Sequence, residues 1–243
     1  MSVLYGIHAV AEALKGHPEK IERICVERGQ NNPRIQEIID AARQKHVRIS
    51  FEERSWLDRK SEDSRHQGIL CYASEITTFE SDDIIEQAKF PGLLVVLDGI
   101  EDTHNLGAIL RSAEAANADG VFLPRHRSAG LTAAAVKASA GAASHVKVAR
   151  VSNISRLIDA LKERKFWVVG LDAASDKPIW DLDLTVPSAL VVGNEGTGLH
   201  RLVKEKCDFI ASLPIKGNVG SYNVSVAAGI ALYEVLRQRA RKG

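Results

Sequence analysis

From Leu93 onward the chain sets six short apolar runs between stretches with helical spacing. The runs are Leu93–Asp98, Gly120–Leu123, His145–Ala149, Phe166–Leu171, Ala189–Gly193 and Phe209–Leu213. A strand with one wet face alternates apolar and polar side chains, whereas a run that stays apolar must be covered on both faces. Helices fit between the runs at Leu106–Ala116, Thr132–Ala140, Ile154–Lys162, Leu199–Lys206 and Val224–Arg239. This alternation predicts an α/β fold built on a parallel sheet with helices on both sides.

The first 74 residues follow a different plan. Ile7–Leu14 has helical spacing, Ile21–Val26 is a short β-rich run, and Ile35, Ile38, Ile39 and Ala42 mark one face of a helix that starts after Pro33. Val47–Phe51 and Gly68–Ala73 read as strands. A small α/β domain over 1–74 is expected, large enough to fold by itself. Between the two lies an acidic stretch, 75–90, where Glu75, Glu80, Asp82, Asp83 and Glu86 face one basic residue, Lys89. It holds a short amphipathic patch (Ile84, Ile85, Ala88) and ends at Pro91-Gly92. It is expected to be a linker, leaving 91–243 as the second domain.

Composition narrows the function classes. No apolar run approaches the ~18 residues that cross a bilayer, and the first residues lack a basic segment followed by an apolar core. The expectation is a cytoplasmic protein with no membrane partner. Three scattered cysteines, Cys25, Cys71 and Cys207, and eight scattered histidines form no ligand spacing, so no metal is expected. Lys+Arg 32 against Asp+Glu 31 gives no global field for nucleic acid. RNA binding would have to rest on local clusters such as Arg23–Arg34, Arg125–Arg127 and Arg237–Lys242, each of which is otherwise a solvated charged face.

In an open parallel sheet, ligands bind beyond the carboxyl ends of the strands. Three polar segments fall there. In the first, 98–111, Asn105 sits where a helix would be capped and Arg111 lies on the helix that follows. The second is Gly193-Asn-Glu-Gly-Thr-Gly198, a strand-to-helix turn whose glycines can present backbone N–H groups and whose Gly196 is expected to need a glycine-only conformation. Its order is not that of a dinucleotide fingerprint, which counts against a nicotinamide oxidoreductase. The third, 213–225, is a glycine-bearing loop ending in Ser221 and Asn223 before a long helix. Spacing alone leaves each segment open to a plainer role as a cap or turn. A Ser–His–Asp hydrolase would need a G-x-S-x-G elbow, which is absent.

Together, DTHNLGAILRSAEA, VVGNEGTGL and LPIKGNVGSYNVSVAAGIAL resemble the three motifs of the SpoU/TrmH branch of SPOUT RNA ribose methyltransferases, in the same order and with similar separations. ASAGAASHV resembles the segment between motifs one and two. YGIHAV and HQGI in residues 1–74 resemble the ribosomal-protein-like (L30e-like) substrate-binding domain of members that methylate a guanosine in 23S rRNA. The resemblance implies a deep trefoil knot in the second domain, S-adenosylmethionine as cofactor, and a homodimer with catalytic pockets near the interface. It further implies 2′-O-methylation of a guanosine in 23S rRNA, as free rRNA or an assembly intermediate. Carried over by position, Arg111, Asn105, Glu195, Ser221 and Asn223 are the catalytic set. Gly193, Asn194, Gly196, Leu213, Ile215 and Tyr222 are the cofactor set.

Two departures stand out. Tyr222 replaces a usual leucine, which alters the adenine pocket if its side chain lines it, and Thr103 replaces a common proline, which is expected to loosen that loop. The alternatives within the family are a tRNA enzyme or an antibiotic-resistance rRNA methylase. Outside it stands a non-catalytic RNA-binding assembly protein, which would have no need of this polar set.

Overall fold

A computed structural model describes residues 2–16, 18–61, 66–73, 78–126, 128–131 and 133–241. Thr132, expected to open a helix, Arg127 and Lys242 of the basic clusters, and 74–77 at the expected domain boundary lie outside the described residues. The chain forms two compact units: Met1–Thr77 with Gly130–His145, and Thr78–Ala129 with Val146–Gly243.

The first unit is built on strands β1 (Ser2–Tyr5), β2 (Ile21–Glu27), β3 (Arg48–Glu52) and β4 (Ile69–Ala73), in the order β1-β4-β2-β3. Only the β2–β3 pair is parallel. Helices α1 (Ile7–Gly16), α2 (Pro33–Gln44) and α3 (Arg54–Ser61) complete its first 77 residues. Leu57 of α3 packs with Cys25 and Leu70. The alternate residues Ile24 and Val26 therefore face the other side, toward α1 and α2. Two elements were not legible in the sequence. β1 is only four residues long, and α3 has a polar sequence that buries only Leu57 and Ser61.

The YGIHAV and HQGI segments are tied to each other. Gly6 N–H donates to the Ile69 carbonyl (3.1 Å), and Ile7 N–H donates to Gln67 Oε1 (3.0 Å). His66 is fully buried; its Nδ1 accepts from Gly68 N–H (2.9 Å), which leaves the ring proton on Nε2, 2.9 Å from Asp58 Oδ1. The unit also contains α6 (Ala133–Ala138) and a turn at Ala142–Ser144, with His145 Nε2 2.8 Å from Glu12 Oε2. His145 therefore belongs to a turn rather than to the strand expected at His145–Ala149.

The second unit carries a six-stranded, wholly parallel sheet. Its strands are β5 (Leu93–Asp98), β6 (Gly120–Pro124), β7 (Val148–Val151), β8 (Trp167–Leu171), β9 (Ser188–Gly193) and β10 (Phe209–Ala211), in the order β10-β8-β9-β5-β6-β7. The central strand β5 is buried along its whole length, as its unbroken apolar run requires. One face packs Leu94, Val96, Phe122 and Val191 against α4 (Ser81–Glu86), α7 (Ile154–Glu163) and α8 (Arg201–Lys206). The other is covered by α5 (Thr103–Ala115) and α9 (Val224–Ala240), which pack on each other.

The acidic stretch read as a linker over 75–90 is structured from Phe79 onward. Phe79 N–H donates to the Val148 carbonyl (2.8 Å), and Ile84 and Ile85 of α4 are core residues. The short amphipathic patch expected there is α4, whose Ile84 and Ile85 are the buried pair. The cysteines also differ in degree: Cys25 and Cys71 are buried and Cys207 is partly exposed. Burial pushes the Cys71 and Cys207 thiols up to about 12, so both stay protonated.

The end of α9 is fastened by one side chain. Arg239 donates from Nε to the Leu184 carbonyl (3.1 Å), from Nη1 to Pro91 (2.7 Å), and from Nη2 to Gly92 (2.9 Å) and Val186 (3.1 Å). These carbonyls precede β5 and β9, so the guanidinium closes the amino edge of the sheet. Burial lowers its pKa from the ordinary arginine value, yet the group stays charged. Arg239→Met should lower unfolding free energy by about 3 kcal/mol, because several carbonyls lose a charged donor. Urea denaturation tests this; an unchanged midpoint would mean that water replaces the guanidinium at no cost.

Candidate active site

All three polar segments reach the carboxyl edge of the sheet, where β5 and β9 end side by side with Asp98 paired to Gly193. The first segment turns into α5 through Asp102, whose carboxylate accepts from His104 N–H (3.0 Å) and Asn105 N–H (3.3 Å). Asp102, not Asn105, is therefore the cap, and Thr103 begins the helix at the position where proline is also favoured. Freed from capping, Asn105 is buried and turns its side chain inward.

There it meets two residues from distant parts of the chain. Asn105 Nδ2 donates to Glu195 Oε1 (2.7 Å), and Asn223 Nδ2 donates to the same oxygen (2.6 Å) and to Asn105 Oδ1 (3.2 Å). Asn223 is also the cap of α9: its Oδ1 accepts from Ser225 N–H (3.0 Å) and Val226 N–H (3.4 Å). That cap fixes the amide orientation, since the oxygen must face the helix and the nitrogen must face Glu195. One carboxylate oxygen thus joins the starts of two helices to the 193–198 turn.

The turn is closed by its own backbone. Asn194 and Gly198 exchange N–H···O bonds of 3.0 and 2.9 Å, and Asn194 Oδ1 accepts from Gly196 N–H (2.8 Å). Asn194 Nδ2 donates to the Gly99 carbonyl (2.7 Å), which ties the turn to the loop after β5. A Cβ on Gly193 would lie 2.3 Å from the Gly198 carbonyl carbon and 2.5 Å from Leu199 N, and Gly198 has φ +67°. Gly196 has neither constraint; a Cβ there would meet only Asn194 Oδ1, at 3.6 Å. The glycine-only positions are therefore 193 and 198, and the expectation for Gly196 is corrected: its φ is not positive and the space beside it is open.

The sequence reading gave no role to Asp98 or His200. Asp98 is 4% exposed and holds His200 twice, accepting from its backbone N–H (2.8 Å) and lying 2.9 Å from Nδ1. This pair clamps the far end of the turn onto β5. The signal was present, as a single carboxylate closing the otherwise apolar run LLVVLD.

The remaining expected residues do not join this cluster. Arg111 lies six positions beyond Asn105, roughly a third of a turn around the helix from it at ~100° per residue. It is exposed, and its guanidinium has no hydrogen-bond or ion-pair partner among the described residues. Ser221 and Tyr222 are exposed, while Leu213 and Ile215 are half-buried in the loop between β10 and α9. Across 213–222 no backbone N–H or C=O makes a hydrogen bond to another described residue. Free donors and acceptors beside half-buried apolar side chains suit a flat heteroaromatic ring with mixed polar edges, such as adenine. Among the described residues, no group of three His, Cys, Asp or Glu side chains is arranged to hold a metal.

Known proteins share this arrangement of chain. Residues 92–233 match the model of the SpoU rRNA Methylase family, and residues 3–79 match that of RNA 2′-O ribose methyltransferase substrate binding. The 23S rRNA (guanosine-2′-O-)-methyltransferase RlmB of Pseudomonas syringae pv. tomato is 40% identical over 242 residues, covering 98% of this chain and 96% of the relative. The putative TrmH family tRNA/rRNA methyltransferase YacO of Bacillus subtilis is 40% identical over 237 residues, covering 96% and 94%. The SpoU methyltransferase AviRb from Streptomyces viridochromogenes, solved in complex with the cofactor AdoMet, superposes with a TM-score of 0.84 at 24% identity. That superposition covers 98% of this chain and 90% of AviRb. By its full-length relatives and its matched motifs, the chain belongs to the SpoU methylase family of methyltransferases.

Proposed function

We propose that the protein methylates the ribose 2′-hydroxyl of a guanosine in 23S rRNA, with S-adenosylmethionine as donor. The observation that carries this reading is the meeting of Asn105, Glu195 and Asn223, one from each motif, at the carboxyl edge of β5 and β9. Full-length relatives at about 40% identity with that activity in their names support the substrate.

Gly193, Asn194 and Gly196 of the turn, with Leu213, Ile215 and Tyr222 of the facing loop, would hold the cofactor, largely through backbone groups. S-adenosylmethionine supplies a methyl group on a sulfonium, which departs without needing protonation. The work left to the chain is to orient the acceptor hydroxyl and manage its proton. Glu195 holds the turn, α5 and α9 in one arrangement, so cofactor loop and acceptor side keep a fixed spacing. Ser221, exposed in the same loop, is available to the ribose. Arg111, without a side-chain partner among the described residues, grips a phosphate flanking the target ribose and polarises its hydroxyl; a guanidinium is a poor proton acceptor but a good planar clamp.

Residues 1–74 would capture the rRNA as an L30e-like domain. There Arg23 lies over Tyr72 (4.8 Å) and Trp56 (5.8 Å), a cation–aromatic surface of the kind that meets unpaired bases. The threading of the carboxyl-terminal segment as a trefoil knot belongs to this reading, as does action in the cytoplasm. A homodimer through α9 does too: Val226, Ile230 and Tyr233 recur at helical spacing and are 49%, 40% and 69% exposed, an uncovered apolar stripe on a helix whose other face is core.

Transfer of labelled methyl groups to unmodified 23S rRNA and to tRNA, followed by mapping of the labelled ribose, tests the activity; label on tRNA alone would assign the protein to the other substrate. Arg111→Lys keeps the charge and loses the fork, and should slow single-turnover methylation by at least ~100-fold. A near-normal rate would remove Arg111 from the reaction. Cofactor titration in a calorimeter, with a chelator present, should show at least ~10-fold weaker binding for Gly193→Ala and about twofold or less for Gly196→Ala. Equal effects would mean the turn does not touch the cofactor. Ile230→Arg should convert the dimer to a monomer in light scattering, and a persistent dimer would place the interface elsewhere.

A further inference from the structure

A second cluster lies on the same carboxyl edge of the sheet, two strands away from the site just described. A cleft of about 650 Å³ opens beside β6 and β7, and Arg125, Arg150, Ser152, Asn153 and Arg156 are among the residues that line it. Arg125 follows β6 directly and Arg150 lies within β7, in register with Leu123. Each is held on the other's backbone: Arg125 Nε donates to the Arg150 carbonyl (3.3 Å), and Arg150 Nη2 donates to the Arg125 carbonyl (2.8 Å). Two like charges are thereby fixed side by side, and neither has a carboxylate partner among the described residues. Arg150 Nε is buried without any hydrogen-bond partner. Arg156, exposed on the first turn of α7, adds a third unpaired cation beside the Asn153 cap.

The rest of the cleft lining does not pair with these charges among the described residues. Its Asp159 pairs with Lys206, and its Arg164 pairs with Glu86 at 2.6 Å. Asp82 belongs to the start of α4 and Glu163 to the last turn of α7; Glu80 also lines a smaller pocket with Arg125 and Arg150, yet forms no ion pair with either among the described residues. Fixing like charges in contact is unfavourable unless an anion comes between them, and planar guanidinium forks match phosphate oxygens in pairs.

Position selects the anion. Neighbouring strands lie ~4.8 Å apart, so the end of β7 is about 10 Å from the end of β5, where Asn105 and Glu195 meet. Ala129 N–H donates to the Ile100 carbonyl (2.6 Å), joining the loop after β6 to the loop after β5. One edge of one sheet therefore presents the acceptor site and, a short run of nucleotides away, a row of unpaired arginines. The geometry points to Arg125, Arg150 and Arg156 as a binding site for backbone phosphates of the substrate RNA flanking the methylated ribose. This rests on the RNA-methylating reading above and adds to it the path that the strand takes across the protein.

The test uses the full-length protein and a 23S rRNA fragment that it methylates. Affinity is measured against salt concentration for the wild type, Arg125→Gln, Arg150→Gln and Arg156→Gln. Each phosphate contact on a single strand contributes ~0.7 to the slope of log K against log salt, so each variant should lose about that much. Cofactor affinity should be unchanged in all three and melting temperature unchanged in Arg156→Gln, which separates a lost contact from a damaged fold. Arg156 is exposed and its side chain bonds to no other described residue, so Arg156→Gln serves as the arm in which folding is not at issue. Unchanged slopes in all three variants overturn the proposal. Failure of the wild type to methylate any 23S rRNA fragment instead overturns the functional reading beneath it.

Discussion

One carboxylate oxygen, Oε1 of Glu195, accepts from both Asn105 and Asn223, and the arrangement of the site depends on it. Without that shared acceptor, the amide of buried Asn105 would lose its carboxylate partner, the exposed Asn223 would keep only Asn105 Oδ1, and the side-chain ties from the turn to α5 and α9 through Glu195 would be gone. Because Asn223 also caps α9 with its other atom, the same side chain that completes the cluster starts the longest helix of the protein. Site geometry and helix placement are therefore one constraint rather than two. A change at Glu195 should be felt at both.

The turn that carries Glu195 is held by two further contacts of different kinds. Close backbone approach at Gly193 sets its shape, and the Asp98–His200 pair sets its position over β5. Steric exclusion and paired hydrogen bonds are both insensitive to small shifts elsewhere, which suits a loop that must keep a fixed relation to a bound cofactor. By contrast, among the described residues the loop 213–222 makes no backbone hydrogen bonds and Arg111 has no side-chain partner. The rigid half of the site is thus internally satisfied, and the half assigned to ligand and RNA presents groups that await partners. The arginines at the ends of β6 and β7 follow the same pattern further along the edge.

The two ends of the sheet have different roles. At the amino edge Arg239 draws four carbonyls onto one guanidinium and closes the structure. At the carboxyl edge successive strands end in polar residues that open outward: Asp98 after β5's apolar run, Arg125 after β6, and Asn194 after β9. A parallel sheet makes this division natural, since every strand delivers its last residue to the same side.

The sequence by itself determined the parallel sheet, five of whose strands start within a residue of their expected positions, because covered strands must be apolar throughout and that requirement is local. It also determined which segments carry the polar chemistry, since glycines and amides after apolar runs have few other reasons to be there. Short or polar elements escaped it: β1 with four residues and α3 with one buried leucine. So did the cap at Asp102, which freed Asn105 to turn inward, and the membership of Gly130–His145 in the first unit. Tertiary structure alone decided the strand order β10-β8-β9-β5-β6-β7, and with it which ends become neighbours. Hydrophobic periodicity reports whether a residue is buried; it carries no information about what lies opposite. Asn105 and Glu195 are 90 residues apart and Asn105 and Asn223 are 118 apart, and only the placement of β9 beside β5 brings them within hydrogen-bond reach.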